Sequence, residues 1–175
     1  MQFIGDTRGA ISTSHYFATE AGAAALRAGG NAIDAALAAA VTRCVVYPNN
    51  VALGGDLVAL VRDPRGKVRF LNATGTAASA MSLEAMREKH GTALPARGVD
   101  TITVPGGVRG RGELHDYGAT LDWADHFTAA IEYASQGHPT ARSVAAALEQ
   151  EHATAESPTY AAASDPRSDG SAIVV

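Results

Sequence analysis

The sequence predicts an α+β domain, and three observations carry that reading. An alanine-rich stretch from Ala18 to Val45 holds two segments with apolar residues at helical spacing, separated by Gly29–Gly30. Two short apolar runs, Leu57–Val61 and Lys67–Asn72, flank the turn sequence RDPRG. Helical spacing then returns at Trp123, Phe127, Ala130, Ile131 and Ala134.

In chain order, ISTSHYF (Ile11–Phe17) is the best strand candidate of the first 17 residues. A helix follows over Ala18–Gly30, with Thr19 as a candidate cap, Glu20 at its positive end and the glycine pair as its stop. Asn31 is placed to cap the next helix. Its apolar face is Ile33, Leu37, Ala40, Val41, Cys44 and Val45, and Pro48 closes it. The two runs around RDPRG read as a hairpin. Ser82 is placed to cap a helix over Leu83–His90. Thr101–Val104 is a brief β-branched run that stops at Pro105–Gly106–Gly107. Thr120 is the candidate cap of the helix containing Trp123, which Gly137 and Pro139 end, and a last helix runs from about Ala141 to His152. Residues 1–152 are read as one structured portion. Residues 153–175, rich in Ser, Ala, Asp and Pro, are read as a loop or mobile tail, although the final AIVV would suit a strand.

Composition excludes several function classes. The net charge of −4 and the lack of a Lys/Arg stripe with interleaved aromatics argue against a nucleic-acid partner. No run of 18 apolar residues is present, so no membrane-spanning helix is expected. The opening MQFIGDTRGA lacks a basic segment followed by a long apolar one, so a secretory signal is not expected and a cytoplasmic location fits. The single cysteine, Cys44, forbids a disulfide within the chain and reads as a small hydrophobe of the second helix.

The motifs are weak in isolation. Gly54–Gly55 and PGGVRGRGE (Pro105–Glu113) fit neither G-x-G-x-x-G after a strand nor G-x-x-x-x-G-K-[ST]. The six histidines show no metal-ligand spacing and read as surface or capping residues, so no metal or organic cofactor is expected. No G-x-S-x-G elbow is present. Asp122 and Asp125 stand at a helix start, where acids suit the dipole. No self-sufficient catalytic set lies in this chain.

Three ordered blocks supply what the isolated motifs lack. ATEAGAAALRAGGNAIDAALAAAV, VVYPNNVALGGDLVALVRDPRGKVRFLNATG and ITVPGGVRGRGELHDYGATLDWADHFTAAIEYASQGHPTARSVAAALE, across about residues 11 to 150, resemble the γ-glutamyltranspeptidase family. The resemblance is to the N-terminal part of the large subunit. It implies a four-layer αββα sandwich of the N-terminal-nucleophile hydrolase type, completed by a small subunit cut from the same precursor. It also implies that the nucleophile is the N-terminal threonine of that partner, with its own α-amine as base. The catalytic residues would then lie off this chain, whose task is to line a pocket for a small-molecule substrate. The sequence leaves open a higher oligomer of such pairs.

One loop departs from the family pattern. Relatives carry an arginine in the segment aligned with Asn72–Ala78, in forms such as G-R-A-P or R-E-x-A-P, where it grips the α-carboxylate of a γ-glutamyl group. Here Gly75–Thr76–Ala77–Ala78 puts Thr76 at that position, or Thr74 in the second alignment. Asn72, Thr74, Gly75 and Thr76 are therefore the candidate substrate-binding residues. A hydroxyl in place of a bidentate guanidinium costs about 2–4 kcal/mol, or about 30- to 1000-fold, in carboxylate binding. Arg69, Arg97 or a partner arginine is the alternative source of the charge. The reading favoured is a hydrolase of altered specificity. Its candidate reaction is hydrolysis of a carbon–carbon bond in an amino-acid-derived intermediate, as in the biosynthesis of alkylproline-containing natural products such as antibiotics. A conventional γ-glutamyl transferase or hydrolase and a non-catalytic relative are the alternatives.

Overall fold

A computed structural model of the protein describes residues 2–3, 9–96 and 98–155. Its chain forms two compact units, residues 1–53 with 113–175, and residues 54–112. Expectations for residues 156–175, including the terminal AIVV strand, lie outside the described residues.

The first unit is helical. Strands β1 (Gln2–Phe3) and β2 (Ala10–Ile11) pair antiparallel, so the expected strand at Ile11–Phe17 shrinks to its first residue. Tyr16 and Phe17 already belong to helix α1 (Tyr16–Arg27). Its N-cap is His15, not Thr19. The reason is local: the Thr13 hydroxyl accepts from the His15 backbone N–H at 3.2 Å and donates to the His15 carbonyl at 2.7 Å, which turns the chain early. Helix α2 (Ala32–Val46) packs against α1 through small residues. At Gly22 an added Cβ would overlap Ile11 and lie 2.7 Å from the Ala35 carbonyl, so the helices meet nearly backbone to backbone.

Asn31 caps α2 as expected, and it does so in a full capping box. Its side chain accepts from Ile33 N–H (2.8 Å), while the Asp34 carboxylate accepts from Asn31 N–H (2.7 Å). Leu37 and Val41 of the expected apolar face are buried. Ile33, Ala40, Cys44 and Val45 are only half-buried, because the buried face is rotated to include Asp34, Ala35, Ala38 and Thr42. Thr42 satisfies its hydroxyl on the Ala38 carbonyl at 2.8 Å, and the Cys44 thiol donates to the Ala40 carbonyl at 3.3 Å.

Asp34 is fully buried and is the polar centre of this unit. Besides Asn31 it accepts from Thr120 N–H (3.1 Å), Thr120 Oγ1 (2.7 Å), Leu121 N–H (3.0 Å) and His126 Nε2 (3.0 Å). Two expectations are corrected here. Thr120 does not cap the following helix; it serves Asp34, because a 3₁₀ turn at Trp123–Phe127 intervenes before α5 (Thr128–Gln136). His126 is not a surface histidine. It is 1% exposed, and its other ring nitrogen faces the Trp123 carbonyl at 3.2 Å. Gly137, with φ of +78°, ends α5 as expected, and α6 (Arg142–Ala155) follows with Val144 buried.

The second unit holds the hairpin. Strands β3 (Leu57–Arg62) and β4 (Val68–Ala73) pair antiparallel, with Val58 opposite Asn72, Leu60 opposite Phe70 and Arg62 opposite Val68. Asp63 fixes the turn by accepting from the Arg65 and Lys67 N–H groups at 2.9 Å each. Helix α3 (Leu83–His90) is capped by Ser82 as expected, its hydroxyl accepting from Ala85 N–H at 3.1 Å. In the last turn of α3, Lys89 Nζ donates to the Asp100 carboxylate at 2.6 Å and holds that carboxyl below its ordinary range. Thr101–Val104 is not a strand. A 3₁₀ turn occupies Val99–Thr101 and an extended segment follows it. The glycine-rich PGGVRGRGE, read only as glycine clusters, opens helix α4 (Gly107–Gly118). Its glycines serve contact: a Cβ at Gly110 would lie 2.6 Å from Ala73 Cβ and 3.1 Å from Leu57 Cδ2.

Burial pushes the Asp34 carboxyl upward, but the hydrogen bonds from Asn31, Leu121, Thr120 and His126 outweigh it and hold it well below the usual carboxylate range. A depressed folded-state pKa adds stability above the unfolded value of about 3.9, and that stability is lost as pH falls through the folded value. Asp34→Ala should therefore cost about 3–5 kcal/mol in urea unfolding at pH 7, since it leaves His126 and several donors without their acceptor. Asp34→Asn should be less costly, and its deficit should narrow as pH drops below about 4. A deficit independent of pH would contradict the assignment.

Candidate functional site

The four candidate residues come together on one turn of the second unit. Asn72 is the penultimate residue of β4 and is exposed; Thr74, Gly75 and Thr76 follow directly. Asn72 Oδ1 accepts from Thr74 N–H at 3.1 Å and from Thr74 Oγ1 at 2.8 Å. This Asx turn bends the chain off the strand. Gly75 continues it with φ of +80°, a conformation that glycine adopts without a Cβ penalty.

Sequence reasoning missed what holds this turn. The extended segment after residue 101 lies against it: Thr103 Oγ1 donates to the Thr74 carbonyl at 2.8 Å, and Val104 N–H donates to the Thr76 carbonyl at 2.9 Å. The approach is close enough that a Cβ on Gly75 would overlap the Val104 carbonyl oxygen, and one on Gly106 would overlap the Ala73 carbonyl. The β-branched character of Thr103 and Val104 was visible, but it pointed to a ladder strand, not to a clamp. At the neighbouring Gly54–Gly55, the Gly55 carbonyl accepts from Gly107 N–H at 2.9 Å.

The turn presents neutral groups. Thr74 is tied inward to Asn72, while Thr76 is exposed. Arg69 does not belong to this face. It sits opposite Val61 in the hairpin, and strand alternation turns it to the side opposite Asn72. Arg97 lies outside the described residues. Arg111 of α4 is the buried cation of this unit, 4% exposed, with Nη1 beside Gly107; the sequence reading did not single it out. One face of the hairpin is exposed and mainly apolar: it carries Val58, Leu60, Val68 and Phe70, with Leu60 at 73% and Phe70 at 63%, and Arg62 and Asn72 stand on the same face at its two ends.

With this geometry in view, the comparisons with known proteins are specific. The family model "Gamma-glutamyltranspeptidase" matches residues 18–165. The chain belongs to the γ-glutamyltranspeptidase family. It is 38% identical over 136 residues to a glutathione hydrolase-like YwrD proenzyme of Bacillus subtilis, covering 76% of this chain and 25% of that protein. It is also 38% identical over 156 residues to an oxamate amidohydrolase proenzyme of Klebsiella pneumoniae, covering 85% and 28%. A γ-glutamyltranspeptidase of Pseudomonas nitroreducens, solved with L-DON, superposes with a TM-score of 0.76 at 29% identity, over 85% of this chain and 45% of that one. The chain thus spans about a quarter of the length of the curated relatives it matches, and it corresponds to a segment of the family's large subunit.

Gly75→Ala should lower stability by about 2–3 kcal/mol, because strain at positive φ adds to the clash with Val104. Gly29, with φ of +91° and no atom within 4 Å of an added Cβ, is the control; Gly29→Ala should cost only about 1 kcal/mol. Urea unfolding of the two variants checks this, and equal losses would show that the clamp is not tight.

Proposed function

We propose that this chain is the substrate-lining large-subunit portion of a self-processed N-terminal-nucleophile hydrolase whose specificity has moved away from γ-glutamyl compounds. The observation that carries this reading is the turn at Asn72–Thr76, built entirely of neutral groups. Membership of the family supports the reaction class, and the word "proenzyme" in both relatives' names supports processing from a precursor. Relatives named for glutathione and for oxamate stand at equal identity, so divergence of substrate within this family is compatible with such similarity.

In the proposed mechanism the partner's N-terminal threonine attacks a substrate carbonyl through its hydroxyl, and its α-amine takes the proton. Collapse of the tetrahedral adduct breaks either a C–N or a C–C bond, with the proton passing to the leaving group. Water then hydrolyses the acyl-enzyme. A substrate without an α-carboxylate at the turn needs no guanidinium there. The finer proposal, hydrolysis of a carbon–carbon bond in an alkylproline-type biosynthetic intermediate, follows from that chemistry. A cytoplasmic setting belongs to the same proposal. The exposed apolar hairpin face is where the small subunit would complete the αββα layers, since a patch of this kind marks an interface.

Intact-mass and N-terminal sequencing of the purified protein should reveal a second chain beginning with threonine; its absence would sink the mechanism. In the processed enzyme, Thr76→Arg should raise kcat/KM for γ-glutamyl-p-nitroanilide by about 30-fold or more. Parent activity already at a level that arginine does not improve would favour the conventional γ-glutamyl reading.

A further inference from the structure

We infer that Asn72 is the specificity-determining donor of this site and that Thr103 is the positioning residue that aims it. The inference rests on the proposed function, because it takes the Asn72–Thr76 turn to be the substrate-contacting element. It goes further in naming which atom meets the substrate and which distant residue controls it.

The orientation of the Asn72 amide follows from its partners. Thr74 N–H can only donate, so the atom facing it must be the carbonyl oxygen, Oδ1. The Thr74 hydroxyl faces the same atom at 2.8 Å. The Nδ2 group is therefore turned away from the turn, and Asn72 is exposed. A planar amide whose oxygen is held by two donors has one torsional setting, which makes Nδ2 a fixed neutral donor.

Thr74 is in turn held from the far side. Its carbonyl accepts from Thr103 Oγ1 at 2.8 Å, 29 residues along the chain. Two residues on, the Thr76 carbonyl accepts from Val104 N–H. Both carbonyls that flank Gly75 are thus fixed by Thr103–Val104, and Gly75 and Gly106 permit the approach. The hydrogen bonds run in series from Thr103 through Thr74 to Asn72. The ligand chemistry this suits is a neutral acceptor, a ketone or carboxamide oxygen. A carboxylate would accept from the same N–H but without the ion pair and second bond that a guanidinium supplies, and an ammonium group would meet a donor.

The test uses the full, processed enzyme and p-nitroanilide substrates: γ-glutamyl-p-nitroanilide and the analogues in which the α-carboxylate is a carboxamide or a methyl ester. Asn72→Asp should lower kcat/KM for the α-methyl ester analogue, which offers acceptors only, at least about tenfold, because it replaces the donor with a charged acceptor while keeping the oxygen that holds Thr74. Thr103→Val should raise KM for the carboxamide about five- to tenfold with kcat within about twofold, and Thr103→Ser should restore it. Hydrogen exchange at Thr74 N–H should quicken about tenfold or more in Asn72→Ala and Thr103→Val and return to the parent rate in Thr103→Ser. Unchanged exchange and KM in Thr103→Val would overturn the positioning role. Unchanged α-methyl ester kinetics in Asn72→Asp would overturn the donor role. A processed parent enzyme that turns over none of the probes would overturn the donor role, whereas a parent that does not process itself counts against the proposed function instead, and the exchange measurement still decides whether Thr103 sets the turn.

Discussion

The buried carboxylate of Asp34 ties the first unit together. It accepts from the backbone of Asn31, from Thr120 and Leu121, and from His126, groups up to 92 residues from it in the chain. A charge fully removed from water is tolerable only when its lone pairs are filled, and here they are. The same residue closes the capping box of α2, so the helix start and the long-range contact are one interaction. Nearby, the Asn31 side-chain amide donates to the Gly118 carbonyl at 2.6 Å, which anchors the end of α4 to the start of α2. The alanine-rich packing of α1 on α2 gives shape but little direction, since small side chains slide easily. The polar centre fixes the register.

The second unit follows another logic. Its candidate site contains no buried charge and depends on main-chain bonds, two glycines, the Asn72 amide and the hydroxyls of Thr74 and Thr103. Two side chains of the turn, Asn72 and Thr74, are spent on each other, and the turn's carbonyls are spent on Thr103 and Val104. Rigid neutral donors discriminate by geometry and by what they leave unpaired, not by charge. This separates the turn chemically from an arginine-bearing one, whose guanidinium recognises a carboxylate through a bidentate fork.

Turn and cap chemistry in the sequence points correctly at four places, while the Thr19 and Thr120 caps and the strand at Thr101–Val104 do not form and the strand at Ile11–Phe17 shrinks to its first residue. The hairpin at Leu57–Ala73, the Ser82 cap, the Asn31 cap and the Gly137 stop all follow from chemistry within a few residues, and each stands where local rules put it. Long-range features were not legible. Nothing near His126 marks it as buried, because its partner is Asp34 on another helix. Nor does anything near Thr103 mark it as a clamp. Helix α4 was hidden by its glycines, which disfavour a helix locally but permit Gly110 to sit against Ala73 and Leu57. The candidate turn was found through the family resemblance and the missing arginine; its internal hydrogen bonds were visible only in the structure.

The chain carries a segment of the family's large subunit, with a neutral turn at Asn72–Thr76. The most direct test is the ratio of kcat/KM for γ-glutamyl-p-nitroanilide to that for its α-carboxamide analogue, measured on the processed parent enzyme. The account predicts a ratio within about threefold of one, because nothing in the turn distinguishes a carboxylate by charge. A preference for the carboxylate of about 30-fold or more would require a cation at the turn and would contradict it.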